Sequence, residues 1–148
     1  MKKYLNLLLF VPLLIGCKQT YNGPKISLQK SDNPGLIVVT GEHMFDEAFT
    51  NKVDSIYYIG DDTCSACQEL KPLIQSWCND KQTNIYEIKY AEITEAEQRK
   101  IEDATVGYYA WTKENTLPAV YFFMEGEVVF VGDNRNTIKN LDKYVKVI

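Results

Sequence analysis

Ser55-Ile56-Tyr57-Tyr58-Ile59-Gly60-Asp61-Asp62-Thr63-Cys64-Ser65-Ala66-Cys67 is the stretch whose reading decides the fold. Ser55 to Gly60 is a continuous apolar run, the mark of a strand covered on both faces. A polar turn follows. From Cys64 to Asp80 the spacing of Leu70, Leu73, Ile74 and Trp77 predicts a helix with one apolar stripe, bent at Pro72. The two cysteines therefore stand where a buried strand meets a helix. Helix N-termini expose unpaired N–H groups and carry about half a positive charge, which stabilises a thiolate. Cys64, at the very start, is the expected attacking sulfur. Cys67 lies one turn on, within disulfide reach, and is the expected buried, resolving thiol. The chemistry this predicts is thiol–disulfide exchange: a mixed disulfide on Cys64, released by Cys67.

Working outward, the pattern predicts alternating elements. Leu36 to Thr40 is a β-branched run and hence a strand. Thr40-Gly41 opens a helix to about Asn51, with Met44, Phe45, Ala48 and Phe49 at helical spacing. Asn84 to Ala91 reads as a strand alternating at Ile85, Glu87 and Lys89. Thr94 and Glu97 form a capping box for a helix to about Ala104. Ala119 to Met124 is a second buried strand, turned by Glu125-Gly126 into Glu127 to Val131. Asn136 to Lys146 closes as an amphipathic helix carrying Ile138, Leu141, Tyr144 and Val145. The order β-α-β-α-β-α-β-β-α implies an α/β fold, a central mixed β-sheet flanked by helices on both faces.

Composition narrows the function classes. The chain has 148 residues, 45% hydrophobic and 24% charged, and a net charge of −4. No basic cluster exists to neutralise several phosphates, so nucleic-acid binding is not expected. With four cysteines and one histidine, a four-ligand zinc site is short of partners. Cys78 follows Cys67 on the same helix but ~16 Å along its axis, too far to share a metal or a disulfide with it. Covalent haem attachment wants a histidine after the second cysteine, and Gln68 stands there. No metal is expected, and no cofactor beyond the Cys64–Cys67 disulfide itself. A purely structural disulfide is the rival reading of that pair. Cys78 reads as a core thiol beside Trp77, and His43 as a surface helix residue. Tyr108, Tyr109 and Trp111 read as packing between a helix end and the sheet, or alternatively as an aromatic rim for substrate. Asp61 and Asp62 either disfavour the Cys64 thiolate or cap the helix.

The N-terminus is of another kind. Met1-Lys2-Lys3 is basic, Leu5 to Ile15 is apolar, and the run is short for a membrane span. Leu14-Ile15-Gly16-Cys17 resembles the lipobox of bacterial lipoproteins. The resemblance implies cleavage after Gly16 and lipidation of Cys17 by acyl chains such as palmitate. Residues 1–16 are then the signal peptide and 17–35 the lipidated cysteine with a flexible tether. That tether is punctuated by Asn22-Gly23-Pro24 and Asn33-Pro34-Gly35 and would span roughly 25 Å. The expected location is the extracytoplasmic face of the cell membrane, held by lipid, in a disulfide-permissive compartment.

Residues 36–148 resemble the thioredoxin superfamily. The resemblance rests on Cys64-Ser65-Ala66-Cys67 opening a helix, Pro72 inside that helix, and Thr116-Leu117-Pro118 directly before the hairpin Ala119 to Glu127. It implies the thioredoxin fold and catalytic Cys64 and Cys67. It also implies a cis peptide bond at Pro118 and substrate contacts from Leu117, Pro118 and Thr63, which stands at the family's usual tryptophan. Within the superfamily the chain is similar to small Gram-positive accessory proteins, including those of bacteriocin export. Ser65-Ala66 replaces the usual Gly-Pro, and Tyr58 replaces a buried acid. The reductase, oxidase and isomerase directions stay open. The expected partners are cysteine-containing secreted or membrane proteins, with a membrane electron carrier or small thiol. The alternative function is a non-catalytic accessory module that holds an extended peptide at Leu117-Pro118 by strand addition.

Overall fold

A computed structural model describes residues 21–104, 117–133 and 135–148. The expected signal segment, Cys17, Tyr108, Tyr109, Trp111 and Thr116 lie outside the described residues. The chain runs β1 (Ile26–Leu28), β2 (Gly35–Val38), α1 (Gly41–Met44, continued by a π-helical turn over Phe45–Thr50), β3 (Ser55–Gly60), α2 (Ser65–Lys81), β4 (Asn84–Lys89), a 3₁₀ turn (Tyr90–Glu92), α3 (Glu95–Ala104), β5 (Ala119–Met124), β6 (Glu127–Gly132), α4 (Thr137–Tyr144) and β7 (Val145–Val147).

Five strands form one sheet in the order β2-β4-β3-β5-β6. The pairs β2–β4 and β3–β4 are parallel, and β3–β5 and β5–β6 are antiparallel. The mixed α/β sheet expected from sequence is therefore present. Strand alternation divides the interior into two cores, because successive side chains leave a strand on opposite faces. Ile56, Tyr58, Ile85, Val120 and Phe122 join Leu70, Ile74 and Trp77 of α2 on one face. Tyr57, Ile59, Ile88, Tyr121 and Phe123 join Met44, Ala48 and Ile101 on the other. At about 1.5–3 kcal/mol per fully buried large apolar side chain, these two layers dominate the stability of the fold. All six residues of β3 are buried, as its unbroken apolar run predicts.

Local signals hold at several element ends. Glu97 N donates to Thr94 Oγ1 (3.2 Å) and Thr94 N donates to Glu97 Oε2 (2.8 Å), the reciprocal capping box. Glu125 and Gly126 both take positive φ, 53° and 91°, the left-handed pair that a tight hairpin turn requires.

Four expectations are corrected. Residues 17–35 are not a tether throughout. Ile26 and Leu28 are buried, and β1 pairs in parallel with β7, so the folded region includes residues from Ile26 and not only from Leu36. A three-residue strand between Pro and Gly punctuation carries too little period to read, and its partner lies at the other end of the chain. The last helix stops at Tyr144 and not Lys146, because Val145 to Val147 are taken up by that pairing. The helix expected to Asn51 keeps α geometry only to Met44 and then widens into a π turn. Leu73, assigned to the apolar stripe of α2, is 54% exposed, while Cys67 and Cys78 occupy that face.

Candidate active site

The strand β3 ends at Gly60, and a four-residue turn delivers the chain to α2. Asp61 organises that turn. Its Oδ1 accepts from Thr63 N (2.7 Å) and Thr63 Oγ1 (2.6 Å), and Cys64 N donates to Asp61 O (3.1 Å). These donated bonds hold the Asp61 carboxyl below the usual carboxylate range. Asp62 is exposed, and its carbonyl accepts from Gln68 Nε2 (2.6 Å). Neither carboxylate caps the helix. The cap is Cys64 itself, in extended conformation, whose Sγ accepts from Cys67 N (3.1 Å).

Cys64 and Cys67 are disulfide-bonded, with their Cα atoms 5.2 Å apart. Cys64 is half-buried and Cys67 is 2% exposed. The two cysteines therefore differ in exposure, the second being sealed from solvent. The N–H group that meets Cys64 Sγ belongs to the first turn of a seventeen-residue helix, where backbone donors have no intrahelical partner. A backbone donor at this position favours the ionised form of a thiol.

The Leu117–Pro118 peptide bond is cis. Pro118 is buried and Leu117 half-buried, directly before β5, the central neighbour of β3. Leu117 and Cys64 both pack against the core cluster on the α2 face, so the two segments border the same apolar layer. Thr63 is exposed. With Gly60, Asp61, Asp62, Lys89 and Ala91 it lines a surface cleft beside the dithiol.

Beneath the dithiol lie Tyr58, which the resemblance set at the family's buried acid, and Glu87 and Lys71, to which the sequence reading gave no role. The Tyr58 hydroxyl donates to Cys67 O (3.3 Å). Gly60 makes room for it, since a Cβ there would collide with that hydroxyl. Burial, then the charges of Glu87 and Asp62, push the Tyr58 phenol far above its ordinary range, so it stays a donor. Glu87 pairs with Tyr58 in register between β4 and β3 and is 5% exposed. Its Oε1 receives Lys71 Nζ of α2 at 2.5 Å. The available signal was a carboxylate on the Ile85 side of an alternating strand.

The remaining candidates lie elsewhere. Cys78 is fully buried on α2, and burial pushes its thiol up to about 12. His43 is not a surface residue. It is half-buried, with Nδ1 3.1 Å from Tyr57 Oη and its ring centroid 4.6 Å from that of Tyr86, on the sheet face opposite the dithiol.

No protein-family model and no curated protein matches the chain. Solved structures do. Thioredoxin O1 from Arabidopsis thaliana in its oxidized state superposes with a TM-score of 0.54 at 18% identity, over 76% of this chain and 99% of that one. A single-residue variant of thioredoxin from Halobacterium salinarum NRC-1 gives 0.53 at 18% identity, over 77% and 94%. Thioredoxin NaTrxh from Nicotiana alata gives 0.51 at 10% identity, over 86% and 99%. The mixed five-stranded sheet, the helices on both of its faces and these superpositions together establish that the chain has the thioredoxin fold, with a disulfide at the start of the helix that follows β3.

Proposed function

We propose that the protein is a thiol–disulfide oxidoreductase that exchanges disulfides with cysteine-containing secreted or membrane proteins through Cys64 and Cys67. The observation that carries this reading is a disulfide at a helix N-terminus whose first cysteine is half-buried and whose second is buried. In the reducing direction the Cys64 thiolate attacks a substrate disulfide and expels one substrate thiolate. Cys67 then loses its proton, attacks Cys64 Sγ and expels the second. Two electrons pass to the substrate and the Cys64–Cys67 bond re-forms. In the oxidising direction a substrate thiolate attacks Cys64 and the same steps run backwards. Leu117 and Pro118 would border the bound substrate chain, and Thr63 would meet it from the other side.

The location belongs to the same proposal. Leu14-Ile15-Gly16-Cys17 supports lipidation of Cys17 and residence on the outer face of the cell membrane, where a membrane electron carrier or small thiol would recycle the dithiol. A bacteriocin-type peptide is one substrate of the expected kind.

Insulin reduction by dithiothreitol tests the activity. The full chain accelerates it, and Cys64→Ser abolishes the acceleration. A Cys67→Ser chain expressed in the native cell accumulates mixed disulfides that identify the substrate. No acceleration, together with equal peptide binding by both variants, would overturn the enzymatic reading in favour of a binding module. Fatty-acid labelling that survives Cys17→Ala would refute the anchor.

A further inference from the structure

The aromatic surface around Tyr21 and Tyr144 has no part in the function proposed above. Tyr21 folds back over Gly23, where a Cβ would collide with its ring, and meets Tyr144 edge to face with ring centroids 4.8 Å apart. Phe130 of β6 stacks on Tyr144 at 5.8 Å. Lys143 Nζ lies over both tyrosines, 5.3 Å from the ring centroid of Tyr21 and 4.7 Å from that of Tyr144. Lys25 and Lys146 are exposed on the adjoining β1–β7 ribbon, where Ile26 pairs with Val145 and Ser27 with Lys146. Three ammonium groups thus border an aromatic surface in a chain of net charge −4. Asp142, the carboxylate next to Lys143, is engaged by Trp77 Nε1 (2.9 Å) and Lys81 Nζ (3.7 Å). The exposed Glu125 and Glu127 of the hairpin bound the surface beyond Met124.

This surface and the dithiol lie at opposite ends of the domain. Residues 27–31 are fastened to the far end of α2: Gln29 O accepts from Thr83 Oγ1 (2.7 Å) and Ser31 N donates to Gln82 O (2.8 Å). The dithiol stands at the near end, and the seventeen residues of α2, at 1.5 Å each, separate the two by about 25 Å. Helix α4 runs the same way. Thr137 begins it beside Gly132, which pairs with Val120 at the dithiol end of the sheet, and Tyr144 closes it. Only Lys18, Gln19 and Thr20 separate Tyr21 from Cys17. At no more than about 3.6 Å per residue, Cys17 is held within about 14 Å of Tyr21.

We propose that the surface around Tyr21, Lys143 and Tyr144 rests on the anionic phosphate headgroups of the membrane and turns the dithiol outward, away from the bilayer. This orientation rests on the anchor proposed at Cys17. A lipid held so close to Tyr21 brings this end of the domain to the membrane and keeps the other from it. Ammonium groups beside tyrosine rings are the side chains that an anionic headgroup layer attracts. Cys64 then meets secreted proteins in solution, and a carrier confined to the bilayer does not reach it.

Lysine labelling on vesicles tests the orientation. The full chain, produced in its native cell, is reconstituted into vesicles of phosphatidylcholine alone or mixed with phosphatidylglycerol. Amine acetylation is then followed site by site by mass spectrometry. A lysine against an anionic surface keeps its proton and reacts slowly. Lys25, Lys143 and Lys146 should label about fivefold more slowly on the mixed vesicles, the weight of one lysine at such a surface. Lys89, in the cleft beside the dithiol, should label equally on both. With Lys25→Gln and Lys146→Gln together, the contrast at Lys143 should shrink, while vesicle pelleting and insulin reduction stay unchanged. An undiminished contrast in that variant would overturn the headgroup contact. A chain that pellets with the vesicles and shows no contrast, or one that includes Lys89, refutes the orientation alone. A chain that stays in the supernatant refutes the anchor at Cys17 and the orientation with it.

Discussion

Cys64 and Cys78 show how position decides the behaviour of the same thiol. Cys64 caps a helix and meets a backbone N–H, which favours its ionised form once reduced. Cys78 lies about four turns on, fully buried, and stays neutral. Alkylation of the reduced native protein at neutral pH should therefore label Cys64 and spare Cys78 until the chain is unfolded, as read by mass spectrometry. The linkage has a definite sign. Below roughly pH 8.5, the ordinary thiol range, Cys78 is protonated in both states. Above it, the unfolded chain loses that proton while the fold keeps it up to about 12, so stability falls as pH rises through that window. Urea midpoints measured across the window should fall less steeply for Cys78→Ala. The placement of Cys64 and Cys67 was legible because a strand-to-helix junction and a one-turn spacing are both local. The meeting of Tyr58, Glu87 and Lys71 was not, since it depends on the register of β3 against β4.

At the scale of the element, α2 links the dithiol to the core. Leu70, Ile74 and Trp77 seat it on the sheet, and Trp77 Nε1 donates to Asp142 Oδ1 of α4 (2.9 Å). The helix ends at Gln82, which takes the left-handed conformation and sends its N–H back to Asn79 O (3.3 Å). Leu73 and Ile74 are adjacent in sequence and opposite in environment, 54% and 0% exposed. Ile74→Ala should cost about 2–5 kcal/mol of unfolding free energy, the range for a buried side chain that leaves a cavity. Leu73→Ala should stay within about 0.5 kcal/mol, as surface substitutions do. Denaturant titration of the two variants checks the pair, and equal losses would contradict the observed seating. The hydrophobic spacing of α2 gave its length and left its rotation open by one residue, because Cys67 and Cys78 compete with Leu73 for the buried face.

At the scale of the molecule, the first and last described strands close on each other. Lys30 N donates to Ile148 O (3.1 Å) and Ile148 N to Leu28 O (2.9 Å), extending the β1–β7 pair. Asp54 ties this strand to the hairpin, accepting from Ser27 N (2.9 Å) and Glu125 N (3.1 Å). The Thr83 hydroxyl donates to Gln29 O (2.7 Å), fastening the same segment to the turn after α2. Ile26→Ala should then lower stability by about 2–5 kcal/mol in thermal or urea unfolding, whereas a residue in a free tether would change nothing measurable.

Local chemistry alone was enough for the strand β3, the helix that carries the dithiol, the capping box at Thr94 and the hairpin at Glu125-Gly126. Each is encoded in neighbours a few positions apart, where side-chain period and backbone preference act directly. Tertiary structure alone decided that Ile26 to Leu28 is a strand, that α4 yields its last residues to β7, and that Lys71 of α2 meets Glu87 of β4. Those outcomes depend on contacts between residues far apart in the chain, and such contacts leave no period to read.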